Sequence, residues 1–257
     1  MKNEVGLANE LFRCEVGSTS HGLGIEGRDD LDLMGVYIEP LDYTFGLKTP
    51  ETVVIRDKPE GVRSEPGDTD LVLHPLRKWV KLALNGNPTI IALMFAPIVQ
   101  YSTVHEQITM VLRYMGPKKL LSHRCITAYL GYLTQQKLRM LGEKGQKRTK
   151  RPELVEEFGY DTKYAMHALR LGLQGLELAE TGKLSFPMED GARALLRGIR
   201  QGGFSQEEAI RLIESSEEQL ESVKDSAPAL PPEPDKAWAD EFLINAHGVY
   251  WQLRKEG

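Results

Sequence analysis

Cysteine is scarce in this chain. Cys14 and Cys125 are the only two in 257 residues. They lie far apart in apolar contexts, so a disulfide framework is excluded and both are expected to be small buried hydrophobes. No Cys/His spacing suits zinc. There is also no run of about 18 apolar residues, the length a membrane helix needs. The opening MKNEVGLANE is polar and lacks an apolar signal region, which gives the expectation of a cytoplasmic protein without a membrane partner. Excess positive charge is missing too. Lys and Arg number 32 against 37 Asp and Glu, for a net charge of −5 and a pI of about 5.8. That excludes a basic footprint spread over the whole surface, and any contact with nucleic acid has to come from a local patch. No internal repeat is evident.

The chain does have enough apolar material, 41% of its residues, for a substantial core, in one large domain or two packed small ones. Short apolar runs bounded by turn residues predict strands over 11–16, 31–38, 52–55 and 70–73. From His74-Pro75 onward the pattern becomes helical. Leu76, Trp79, Val80 and Leu84 form a stripe that ends at Asn85-Gly86-Asn87-Pro88. Residues 89–95 read as a helix or a short strand. Helices are expected over 103–115, 119–141, 161–181, 189–201, 205–223 and 236–254, with Ser205 and Glu208 at capping-box spacing. Residues 142–152 read as a loop, and 225–235, with Pro228, Pro231, Pro232 and Pro234, as an extended tether. The fold class is therefore α+β, a small mixed β-sheet with flanking helices followed by an all-helical C-terminal region. The expected division is 1–100, 101–224 and 225–257, the last being the tether and a terminal helix.

Chemistry concentrates in Gly17-Ser18-Thr19-Ser20-His21-Gly22 and Asp29-Asp30-Leu31-Asp32. In a strand, residues two apart share a face, so Asp30 and Asp32 present two carboxylates together while Leu31 and Leu33 turn to the core. Like charges that close are costly without a cation. Hard oxygen donors favour Mg²⁺, which takes one or two carboxylates along with substrate phosphates and water. The Gly17-Ser18 turn offers backbone N–H groups and a hydroxyl to phosphate oxygens, and glycine permits close approach. His21 in this turn either contacts the phosphates or caps the turn. Arg28 is a phosphate contact or a solvated charge. Lys163, His167 and Arg170 fall at i, i+4 and i+7, one face of a helix that could meet the β- and γ-phosphates, with Tyr164, Ala165, Leu169 and Leu171 mostly toward the core. Arg77 and Lys78 read as surface residues. Five positive charges between 144 and 151 form either a nucleic-acid contact or a solvated loop.

Gly-Ser followed about a dozen residues later by Asp-x-Asp resembles the signature of polymerase β-type nucleotidyltransferases. Three blocks extend the resemblance to the RNA repair pathway DNA polymerase β family. They are Gly17-Ser18 through Tyr37, Asp70 through Trp79 with Gly86-Asn87-Pro88-Thr89, and Gly159 through Leu171. The resemblance implies a nucleotidyltransferase palm, and a third carboxylate from a later strand. Asp70 is the best match, and Asp68 competes from a position that fits a turn. It implies catalytic and metal-holding roles for Asp30, Asp32 and Asp70, two Mg²⁺ ions (or Mn²⁺), and nucleotide binding by Gly17, Ser18, His21, Lys163, His167 and Arg170. The expected activity is transfer of an NMP from an NTP to an acceptor hydroxyl, on RNA such as tRNA. A protein or small-molecule acceptor, or a non-catalytic nucleotide-binding module, is the alternative. Where relatives carry a Glu soon after Asn-Pro, this chain has Ile91-Ala92-Leu93-Met94.

Overall fold

The computed structural model describes residues 2–24, 31–58, 67–143 and 151–253. Its sheet has five strands in the order β3-β4-β2-β1-β5: β1 (Glu10–Glu15), β2 (Leu31–Tyr37), β3 (Val53–Arg56), β4 (Thr69–Pro75) and β5 (Ile98–Tyr101). β2 and β4 run parallel. The other three pairings are antiparallel, so the sheet is mixed, as the sequence predicts.

Alternation along the strands sorts the two faces. Leu33, Tyr37, Val53, Ile55, Leu71 and Leu73 form a small cluster on one side. This side is covered by α1 (Lys2–Ala8), whose Gly6 lies so close that an added Cβ would meet Val53 Cγ2 at 2.6 Å. Met34 and Val36 turn the other way, into the main core shared with the helices. Asp32 and Asp70 share that side by the same alternation. Leu31, expected in the core, lies at the first position of β2 and is 39% exposed.

Two short helices, α2 (Gly17–Ser20) and α3 (Leu41–Thr44), follow β1 and β2. Pro75 ends β4 and caps α4 (Leu76–Leu84), whose Leu76, Trp79, Val80 and Ala83 are buried. α5 (Pro88–Ala92) starts at Asn87, whose side chain accepts from the N–H groups of Thr89 and Ile90. Next come α6 (Glu106–Leu120), α7 (His123–Met140), α8 (Pro152–Phe158), α9 (Thr162–Thr181), α10 (Asp190–Arg200), α11 (Gln206–Val223) and α12 (Lys236–Leu253). α9 is the centre of the helical part and packs on α7, α10 and α11. Gly172 lets α11 approach, since a Cβ there would stand 2.3 Å from Ser216 Oγ. The Ser205–Glu208 capping box opens α11 as predicted. Cys14 and Cys125 are buried free thiols, and burial pushes each up to about 11.

Five elements escape the sequence reading: α1, the short helix α2, in the stretch read as a turn, α3, the four-residue edge strand β5, and α8, which begins inside the stretch read as a loop. The proline-rich stretch read as an extended tether is laid on the body. Ala229 N–H donates to the Ala179 carbonyl, His123 N–H to Pro231, and Asp235 N–H to Lys119, while Ala227 and Leu230 are buried. It delivers α12 to a berth along α6 and α4. There Phe242, Ala246 and Tyr250 are buried, and His247 Nε2 lies 3.0 Å from Glu39 Oε2. No helix among the described residues is long and apolar enough to cross a membrane.

Candidate active site

The parallel pairing of β2 and β4 puts Asp32 directly beside Asp70. Neighbouring strands lie about 4.8 Å apart, and registered residues of a parallel pair point to the same face. The two carboxylates therefore emerge side by side. One strand further on, Arg56 is registered with Asp70, and its Nε stands 3.9 Å from Asp70 Oδ2. Asp68 lies before the strand. Its carbonyl accepts from Leu31 N–H, and its carboxylate stands 4.0 Å from Lys58. Of the two competitors, Asp70 is the one aligned with Asp32. Asp30 and Arg28 lie outside the described residues. Among the described residues, no group of three or more His, Cys, Asp or Glu side chains is placed to hold a metal ion.

The Gly17-Ser18 segment is the first turn of α2. Its loop is stapled to the acidic strand by Val16 N–H donating to the Asp32 carbonyl at 2.9 Å. Gly17 has φ +76°, and a Cβ there would stand 2.2 Å from Asp32 Oδ2. Glycine is required on both counts. Gly17, Ser18, His21 and Asp32 form one wall of a cavity of about 320 Å³.

α9 forms the facing wall. Lys163, His167 and Arg170 all line the cavity, as the i, i+4, i+7 spacing predicts. On the other side of α9, Ala165 and Leu169 are buried; Leu171 is buried too but also touches the cavity. Tyr164 carries the Arg151 guanidinium over its ring, 4.7 Å from the centroid. Arg170 Nη1 donates to His21 Nε2 at 2.9 Å and to Gln174 Oε1 at 2.6 Å. No carboxylate pairs with Arg170 among the described residues. Burial pulls its guanidinium down to about 10, so it remains a cation at neutral pH. Burial, then the Arg170 charge, then His167 hold His21 well below the usual histidine value. The same burial and the charges of Arg170, Lys163, Arg151 and Arg139 act on His167. Both rings are neutral, beside a cation that has no carboxylate partner among the described residues. His21 also stacks on Phe186 at 4.9 Å. Its ring thus touches both Phe186 and Arg170 while lining the cavity.

Val16, Met34, Ala92, Met166 and Leu171 supply an apolar surround, with Pro88 and Thr89 at the start of α5. The segment that replaces the expected Glu contributes Ala92 to this wall, while Ile91, Leu93 and Met94 go into the core. Gln174, Phe186 and Leu23 escape the sequence reading. Gln174 continues the stripe one turn past Arg170, which is a usable signal. Phe186 and Leu23 reach the site only through tertiary packing. Arg151, the one described member of the basic segment 144–151, is engaged elsewhere, with both Asp161 oxygens at 3.1 and 2.8 Å.

The sequence profile of the RNA repair pathway DNA polymerase beta family matches residues 2–245. The chain belongs to that family. This RNA repair pathway polymerase β-family protein is accordingly a nucleotidyltransferase. No curated protein matches it. Among solved structures, it is similar to a nucleotidyltransferase-like protein from Exiguobacterium sibiricum at 14% identity, covering 92% of this chain and 73% of that one, with a TM-score of 0.28. It is also similar to CdnC of E. coli, determined with ATP, at 14% identity, 97% and 87% coverage and a TM-score of 0.20. Likenesses this loose carry no argument about substrate.

Proposed function

We propose that this family member transfers an NMP from an NTP to the hydroxyl of an RNA, in a reaction that depends on Mg²⁺ or Mn²⁺. One observation carries the reading: Asp32, registered beside Asp70 on a parallel strand, lines a cavity that a cationic helix stripe lines as well.

The donor set fits a hard divalent cation. It consists of carboxylate oxygens on adjacent strands, beside a glycine whose missing Cβ leaves room at Asp32. Asp32 and Asp70 are the described holders, and Asp30, two residues before Asp32, is the third by sequence. The ions would neutralise charge at the phosphates and lower the pKa of the attacking hydroxyl.

The rest of the work falls to the chain. The N–H groups of Gly17 and Ser18 and the cations Lys163 and Arg170 hold the triphosphate tail from two sides. The tail supplies a countercharge to Arg170. Asp70 takes the proton from the acceptor hydroxyl as its oxygen attacks the α-phosphorus. The bond from the α-phosphorus to the bridging oxygen breaks, and pyrophosphate leaves toward the cationic wall. Positioning and charge neutralisation dominate such chemistry.

Asp32→Asn tests the proposal. Its shape is unchanged, so the melting temperature should stay within about 3 °C of the parent. Transfer of label from an α-labelled NTP to RNA should fall at least about a thousandfold, equivalent to about 4 kcal/mol of barrier. Near-normal turnover would sink the assignment. Label appearing on protein or a small molecule in the parent reaction would replace the acceptor while leaving the site intact.

A further inference from the structure

We propose that α10 carries a second cationic track, which holds the phosphodiester backbone of the acceptor strand where it enters the nucleotide cavity. The inference rests on the RNA-acceptor reading above. Arg193, Arg197 and Arg200 fall at i, i+4 and i+7 on α10, one helix face. Helical rise spaces them about 6 and about 4.5 Å apart along the axis.

That face looks onto the loop after α2. Arg197 Nη2 donates to the Gly22 carbonyl at 2.6 Å. Arg193 lies against Gly22, where an added Cβ would meet its Cδ at 2.7 Å. Arg197 and Arg200, with Leu23, Gly24 and Gln201, line a separate cavity of about 270 Å³. Leu23 lines the nucleotide cavity as well, so the two spaces meet at one side chain. Arg193 pairs with Asp190. Arg197 is exposed, and its bond to Gly22 leaves its charge without a carboxylate partner among the described residues.

The two stripes are fixed relative to each other. Thr162, at the start of α9, donates to the Arg200 carbonyl at 3.1 Å, and Tyr160 donates to the Phe204 carbonyl at 2.9 Å. The α9 stripe faces the nucleotide and the α10 stripe faces the approach to it. An acceptor strand needs this arrangement, since its terminal hydroxyl must reach the α-phosphorus while the phosphates behind it need cations. In a chain of net charge −5, such a local row is the form a strand-binding surface has to take.

The test uses the full chain, a fluorescent single-stranded RNA of about ten nucleotides and its DNA counterpart, with anisotropy read across about 50 to 200 mM KCl. NTP affinity is measured separately by calorimetry. Deleting one arginine–phosphate interaction should lower the salt slope by about 0.7, which corresponds to about fivefold weaker binding near 0.1 M salt. Arg197→Ala should show that weakening. Arg197→Ala with Arg200→Ala should show about twenty-five-fold by the same arithmetic, and Arg197→Lys should recover most of it. NTP Kd should stay within about twofold of the parent throughout. If the double variant folds poorly, Arg193→Ala with Arg197→Lys probes the same track with less disturbance. Unchanged RNA affinity and slope in variants of a parent that does label RNA would overturn the track alone. Equal weakening of NTP and RNA would assign α10 to the nucleotide site and overturn it as well. A parent that binds and labels no RNA would overturn the acceptor assignment, and the track with it. Weakened DNA binding alongside RNA supports the backbone interaction and shows that it does not read the 2′-hydroxyl.

Discussion

Position 17 has room for only a hydrogen on its Cα. Its φ of +76° disfavours any side chain, and the space a methyl would fill is held by the Asp32 carboxylate. Gly17→Ala should therefore cost about 1–2 kcal/mol of stability from the backbone alone and push Asp32 off its alignment with Asp70. NMP transfer should drop at least about tenfold, the equivalent of about 1.4 kcal/mol of barrier. Thermal melting and a transfer assay on the same preparation would separate the two effects. A variant with parental activity would mean that the Gly17–Asp32 contact does not set the acid's position. This relation is only half legible in the sequence. Gly-Ser ahead of Asp-x-Asp signals phosphate and metal chemistry, but not that the glycine makes room for the carboxylate. Helical spacing alone places Lys163, His167 and Arg170 on one face, because spacing within one element is local information. The bond from Arg170 to His21 spans 149 positions, and only packing reveals it.

Among the elements, α9 carries the heaviest load, and its N-terminus shows how a sequence block divides into support and chemistry. Gly159 closes α8 in a left-handed conformation. Tyr160 is buried, and Asp161 caps α9 by accepting from the N–H groups of Lys163 and Tyr164 at 3.0 Å each. The same carboxylate, 2% exposed, holds Arg151. Asp161→Ala removes a cap worth about 1 kcal/mol and strands a half-buried arginine, for a total loss of about 2–4 kcal/mol. Asp161→Asn keeps the cap and should lose less. Urea unfolding of both variants checks the ranking, and equal losses would show that the cap contributes nothing beyond the ion pair. Apart from α8, the helices of the C-terminal half are legible to within about five residues because their apolar stripes are long. β5 is not, since four residues that are mostly exposed at a sheet edge have no alternation to read. The proline-rich stretch misleads by composition. Prolines forbid a helix, but they do not forbid an extended chain from lying in a groove and using its carbonyls as acceptors.

For the whole molecule, stability should follow acidity in one direction. His21, His74 and His167 are all held toward the neutral form by burial, His74 down to about 4. An unfolded histidine titrates near 6.5. Above that pH both states are neutral and nothing is gained or lost. Below it the unfolded chain takes up protons that the native state refuses, so stability declines as pH falls. For His74 the decline levels off near pH 4. Each histidine contributes at most about 1.4 kcal/mol per pH unit. Urea unfolding between pH 7 and 5 should show this fall, and His167→Gln should flatten it by up to one histidine's share. A profile identical to the parent's would mean His167 is protonated equally in both states.

The berth of α12 joins the far ends of the chain. The Tyr250 hydroxyl donates to Asn9, which is 241 positions earlier, Trp251 Nε1 donates to the Glu39 carbonyl at 3.3 Å, and His247 covers a Glu39 side chain that is only 2% exposed. On the ribosome, the strands that bear the acids emerge before α12 does. Glu39 meets water until α12 arrives to shut it in. A chain lacking residues 236–253 would thus keep Asp32, Lys163 and Arg170 of the cavity and leave bare the faces of α6 and α4 on which α12 lies.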